Sequence, residues 1–353
     1  MRLRLNPGLP RAWRDARTLQ IGLSPGPGTV LTGLTAADRT VLDRLATGLD
    51  PDELGSGRRD GGVPARARAL LALLAEGGVL VRAAGDGAAL ARLGAGARRL
   101  APDAAAWSLT HADAEDGWGL LAARASRRVE VHGTGRTSRA LVRALRAAGV
   151  GEVSEVSRVG EAGEGDGAEA APAVVVRVER DVADSLAAAP LVASGGAHLS
   201  VVVAAGTTVV GPLVVPGATP CLRCLDLHRA DRDPAWPRVL AQLLAARRSG
   251  PPGPPGPSGP SCPSGDDDID GAEESALAGI AAGVAALQVL ARLDGRTVPA
   301  ACGATLEVSL PHGLVARRPW PAHPACGCTW PPARGRNPGQ DGRGGGAPGR
   351  MAR

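Results

Sequence analysis

Two short cysteine pairs constrain this chain more than any other feature. Cys221 and Cys224 form a Cys-x-x-Cys knuckle, and Cys326 and Cys328 form a Cys-x-Cys pair roughly a hundred residues later. Two thiolates on one tight turn occupy two corners of a tetrahedron, and a second pair completes four zinc ligands while tying the distal segment to the domain. Four thiolates leave no open position, so such a zinc is structural and not catalytic. Because Cys-x-Cys is a tighter spacing than usual, His323 and Cys302 stand as substitutes for one ligand, and buried free thiols are the alternative to a metal. Cys262 lies in a Pro/Gly-rich stretch beside aspartates that raise its pKa, and reads as a free thiol. The segment from Met1 to Pro7 lacks the apolar core of a signal peptide, and a cytoplasmic location is expected. In that reducing compartment its six cysteines read as ligands or free thiols, not as disulfides.

At 353 residues the chain has room for two domains. Residues 1–84 read as a small winged-helix module: strands over 17–23 and 29–31, a helix capped by Thr35, a short helix over 50–54, a stronger helix over 63–75 closed by Gly77 and Gly78, and a strand over 79–81. Residues 85–127 are Ala/Arg-rich and read as a linker of unclear structure. Within them His111, Asp113, Glu115 and Asp116 form an acidic cluster whose spacing fits a solvated loop better than a metal site. From Val129 onward strands alternate with helices, which predicts an α/β domain over 128–333 with a mostly parallel, Rossmann-like sheet. A Pro/Gly linker over 249–265 interrupts it, and a disordered basic tail over 334–353 follows it. The apolar helix running to Leu293 reads as a buried core helix, with Gly279 and Gly283 explained by close packing, and the acidic residues before it complement its dipole.

The net charge of +5 is modest, and much of the excess sits in the tail. The chain has no Phe, no Tyr and no Lys, so Trp is the only stacking aromatic and no nucleic-acid partner is expected. The missing residues are those with A/T-rich codons, so Ala-rich helices and Arg in place of Lys carry less functional meaning here than elsewhere. The uncharged run over 186–222 is interrupted by Pro and Gly, which suits short buried strands and gives no membrane span.

A glycine-rich turn, Gly133-Thr134-Gly135-Arg136-Thr137-Ser138, stands between a strand and a helix, the setting of a dinucleotide loop. Its chemistry is backbone N–H groups and a helix N-terminus facing phosphate, which makes Gly133, Gly135, Arg136 and Ser138 the candidate cofactor-binding residues. The third glycine of the pattern is replaced by Ser138, and the next strand ends at Ser157 and Arg158, where a ribose-binding fold places an acid. No catalytic residue is assigned.

The block from Gly211 to Arg229, with Asp231, Asp233, Pro234, Trp236 and Pro237 after it and His323, Pro324, Cys326 and Cys328 further on, resembles the ThiF-like, ubiquitin-activating-enzyme-like proteins of azoline-forming ribosomal-peptide clusters, the cyclodehydratase leader-peptide-binding proteins. The likeness covers roughly residues 129–330, and residues 1–84 resemble a PqqD-like winged helix. The resemblance implies zinc on Cys221, Cys224, Cys326 and Cys328, a precursor leader peptide added as a strand to the winged helix, delivery of that precursor to a YcaO-type cyclodehydratase, and a homodimer. Active adenylating relatives carry an acid after the second strand, an Asn/Arg pair and a phosphate-touching Lys. Here those places read Ser157 and the loop over 160–167, and the chain has no Lys, for which Arg is a poor substitute as a compact phosphate charge. ATP is therefore a candidate cofactor that the residues weigh against. The expected function is a non-catalytic leader-binding partner in peptide maturation; the alternative is an ATP-dependent adenylyltransferase acting on a peptide or protein carboxylate.

Overall fold

The computed structural model describes residues 2–26, 28–55, 63–83, 87–111, 115–156, 171–249 and 273–328. Ser157, Arg158, the loop over 160–167, Asp113, Cys262, nearly all of the 249–265 linker and the 334–353 tail lie outside these residues.

The first module is built from β1 (Arg2–Leu5), β2 (Arg11–Asp15), β3 (Thr18–Ile21), β4 (Thr29–Leu31), α1 (Ala36–Thr47), a 3-10 turn over Pro51–Leu54, α2 (Ala65–Glu76) and β5 (Leu80–Ala83). Thr35 and Asp38 form a reciprocal capping box at the start of α1, which satisfies backbone donors the helix cannot pair internally. The β2-β3-β4 sheet is antiparallel, and β1 pairs antiparallel with β5. Leu5, Ile21, Leu45, Leu49 and Leu74 close a core between these two sheets and the helices. Strands β1 and β2 were not legible in the sequence, since Arg2–Leu5 is short and every residue of β2 is exposed.

Residues 85–127, read as a linker, are instead largely helical. α3 (Gly87–Leu93), a 3-10 segment over Gly94–Leu100, α4 (Ala101–Thr110) and α5 (Trp118–Arg124) pack together through Leu100, Ala104 and Leu121. His111 and Asp116 are buried, Glu115 is exposed, and the His111 ring stacks on Trp107 at 5.5 Å between centroids. The module is fastened to these helices by Asn6, whose side-chain amide donates to Ala105 O (3.1 Å) and Ser108 Oγ (2.8 Å).

The α/β body follows: β6 (Arg128–His132), α6 (Arg136–Ala147), β7 (Glu152–Val156), β8 (Val174–Arg180), α7 (Ala189–Ala193), β9 (His198–Ala204), β10 (Thr207–Val214), α8 (Leu222–Arg232), α9 (Trp236–Ser249), α10 (Ser275–Asp294), β11 (Ala304–Ser309) and β12 (Val315–Pro319). Its seven-stranded sheet runs β12-β11-β10-β9-β8-β6-β7. The sheet is mixed: β7, β6, β8 and β9 are parallel, while β9 through β12 are joined antiparallel. The two-residue repeat of β6, β8 and β9 sends one set of side chains under α6 and α10, where Val131, Val176, Leu199, Leu141 and Ala285 form the main core. The other face carries a buried Arg177–Glu179 pair (2.9 Å), joined at 3.3 Å by Arg247 of α9.

α10 is long and apolar enough to cross a membrane by length and composition, and half of its apolar window is buried within the fold. Close packing does not explain its two glycines, because a Cβ built on Gly279 or Gly283 meets nothing within 4 Å.

Candidate functional site

The turn after β10 brings the chain to the first cysteine pair. Thr219 Oγ accepts from Val215 N–H at 2.8 Å and holds this turn closed, so that α8 begins at Cys221. Cys221 stands at the N-cap and Cys224 one turn in, with Cys224 N–H donating to Cys221 O (3.0 Å). The second pair arrives after β12, and Gly327, at φ +74°, supplies the left-handed residue between Cys326 and Cys328 that so short a spacing requires. The Sγ atoms of Cys221 and Cys326 lie 3.5 Å apart, those of Cys224 and Cys328 3.3 Å, and those of Cys221 and Cys224 4.0 Å. All four lie within 4.8 Å of one another. Tetrahedral zinc with bonds of about 2.3 Å needs sulfurs about 3.8 Å apart, so the four thiols fit such an ion with shifts of no more than about 1 Å.

Crowding sets the acidities of Cys224, Cys326 and Cys328 apart. Burial, together with the neighbouring Cys224 sulfur, pushes Cys328 up to about 11, and Cys326 is raised further by burial and by Cys221. At Cys224 burial also acts upward, but hydrogen bonds from the His323 backbone and from Cys328 outweigh it, and its pKa falls. A cation among the sulfurs removes this conflict by stabilising all four as thiolates. Trp320, Val214 and Leu225 pack around the cluster and shield it. Cys302, held in reserve by the sequence as a fourth ligand, packs against the main core instead.

His323 also has other partners. With His228 and Asp231 it forms a second group whose donor atoms lie within 4.8 Å of one another. Its Nε2 meets Asp231 Oδ2 at 2.9 Å and its Nδ1 accepts from Ala325 N–H at 3.1 Å. With Nδ1 accepting, Nε2 faces the carboxylate as donor, and this His323–Asp231 contact latches the Cys326–Cys328 segment to α8.

The glycine-rich turn sits where β6 meets α6, at the carboxyl end of the parallel strands. Gly133 has φ +134°, and a Cβ there would collide with Val178 O; Gly135, at φ +107°, is the N-cap of α6. Ser138 is fully buried and donates to Thr134 O (3.3 Å), a local contact, while Arg136 reaches Ser275 Oγ (2.5 Å) across to α10. Two further residues belong to this place. Thr137 N–H donates to the Glu273 carboxylate at 2.6 Å, and Thr137 Oγ1 is buried with no hydrogen-bond partner. No local signal could have paired Thr137 with Glu273, because 136 residues separate them. The turn and the thiol cluster are separate places in the fold.

No family model matches the chain, and no curated protein matches it. Solved structures do. The heterocyclase TruD superposes with a TM-score of 0.59 at 17% identity over 93% of this chain, which spans 42% of TruD's length. E. coli MccB with MccA-N7isoASN gives 0.58 at 12% identity, covering 93% of this chain and 99% of MccB. The microcin C7 biosynthetic enzyme MccB in complex with N-formylated MccA gives 0.59 at 12% identity over 93% of this chain and 100% of MccB. The chain therefore has the fold of MccB from its first module through its α/β body, and shares that fold with part of TruD.

Proposed function

We propose that this chain is a peptide-binding partner in the maturation of ribosomal peptides, without catalysis of its own. Residues 1–84, read as a PqqD-like winged helix, capture the precursor's leader as an added strand. The body over 128–333, clipped by zinc on Cys221, Cys224, Cys326 and Cys328, holds the module as a rigid platform for a YcaO-type cyclodehydratase, and the working assembly is a homodimer.

The observation that carries this reading is the reach of the fold likeness: 93% of the chain follows MccB, including the N-terminal module, in structures that contain MccA. The module also offers a place for a strand. β4 pairs only with β3 among the described residues, which leaves its outer edge open, and Val30 on β4 and Leu73 on α2 are exposed apolar side chains. An extended peptide adds to such an edge through main-chain hydrogen bonds while apolar side chains take up alternate residues.

The competing reading, an adenylyltransferase, draws on the glycine-rich turn and on the solution of MccB with ATP. It lacks a phosphate-touching Lys, because the chain contains none. Reconstitution separates the two: a YcaO-type enzyme supplied with ATP and its precursor forms azolines, one water lost per ring, only when this chain is present, and the chain incubated alone with ATP and the precursor releases no pyrophosphate. Pyrophosphate release by the chain alone favours the adenylating reading.

A further inference from the structure

We infer that the anion seat at the glycine-rich turn is already filled by the chain's own Glu273, so that a nucleotide phosphate binds there only if Glu273 leaves. α6 is a 12-residue helix with no acidic residue in its first turn and no side-chain cap at Gly135, so its N-terminal amides and the positive end of its dipole find no local anion. The anion comes instead from the segment leading into α10. Thr137 N–H donates to one Glu273 carboxylate oxygen at 2.6 Å, and the other lies so close over Gly135 that a Cβ there would collide with it. Arg136 holds this segment in place through Ser275 Oγ (2.5 Å) and the Glu273 carbonyl (3.4 Å). The next residue, Glu274, turns the other way and caps α10 through Ala276 N–H (3.0 Å) and Leu277 N–H (2.8 Å). Two consecutive glutamates thus serve two different helices.

A carboxylate and a phosphate ask the same thing of this turn: backbone donors, a glycine that lets the anion approach, and a helix N-terminus. They cannot share it, because two anions in contact repel each other. The ligand class that competes with Glu273 is therefore the phosphate chain of a nucleotide, with pyrophosphate as its simplest form. This inference does not depend on the peptide-binding reading, since it concerns a different part of the molecule.

The test is calorimetric titration of the full-length, zinc-loaded chain with pyrophosphate and, separately, with Mg-ATP, in wild type, Glu273→Gln and Glu273→Ala. Gln preserves the shape and one acceptor for Thr137 N–H without the charge, which keeps the comparison readable where Ala loosens the fold. The expected result is pyrophosphate binding at least about tenfold tighter in both variants than in wild type, with the anion raising the melting temperature of the variants only. Equal affinities in folded wild type and Glu273→Gln overturn the inference, whether all bind or none does. Leader-peptide affinity, measured on the same preparations, is expected not to change, so a failure here is distinct from a failure of the peptide-binding reading.

Discussion

Arg124, the last residue of α5, and Asp294, the last residue of α10, face each other as a two-pronged ion pair, Nε to Oδ1 at 2.7 Å and Nη2 to Oδ2 at 2.5 Å, with both side chains 1% exposed. The same guanidinium lies 4.6 Å from the Trp107 ring and donates to Ala148 O at the end of α6 (3.4 Å). One side chain therefore joins the helices over 87–124 to the α/β body. Removing one member of such a pair leaves a buried charge unpaired. Asp294→Ala is expected to lower stability by about 3–5 kcal/mol in chemical denaturation, and Arg124→Ala by a similar amount. A double variant in which both residues are apolar is expected to recover part of the loss. If either single variant unfolds like wild type, the pair does not hold the two parts together.

Acid acts on the first module through Asp38. Arg66, at 2.7 Å, holds the Asp38 carboxyl at about 2, with further hydrogen bonds from Thr35. Because its ordinary value is 3.8, the unfolded chain takes up this proton first as pH falls. The stabilisation is complete above about pH 4 and disappears as pH drops toward 2. Asp38→Asn is expected to cost about 1–2 kcal/mol at neutral pH through loss of the capping box and the ion pair, with the gap to wild type closing between pH 4 and 2. A gap independent of pH across that window contradicts the assignment.

The thiol cluster makes a stoichiometric prediction. Purified protein is expected to contain one zinc per chain. Cys224→Ser or Cys328→Ser is expected to lose it and at least about 2 kcal/mol of stability, a fall in Tm of roughly 4–8 °C. Cys302→Ser, which alters a thiol outside the cluster, is expected to retain the metal. Metal analysis with thermal melts checks all three, and a metal-free wild type that melts normally contradicts the zinc clip.

What the sequence disclosed followed from local rules. Thr35 announced α1 because a cap acts three residues away, and the succession of strand and helix patterns from Val129 onward announced the sheet because each pattern is set within a few residues. The cysteine spacing carried the thiol cluster for a similar reason, since each pair is local and only their meeting is not. The helices over 87–124 were hidden because Ala and Arg fill them and neither α4 nor α5 has a side-chain cap. The partnership of Glu273 with Thr137 was hidden for a different reason: it exists only after α10 folds back beside α6, and local patterning carries no trace of it. The glutamate itself had been visible only as one acid among several ahead of a helix, and the structure gives it to another helix.

Capture of a peptide by the N-terminal module is tested most directly by a fluorescence-anisotropy titration in the absence of nucleotide. The probe is a Cys/Ser/Thr-rich precursor peptide with its leader, labelled at one end and titrated with the full-length, zinc-loaded protein. Saturable binding in the micromolar range or tighter is expected, weakened at least about tenfold by Leu73→Glu or Val30→Glu and unchanged by Cys302→Ser. Absence of saturable binding, or equal affinity in wild type and both module variants, would contradict it.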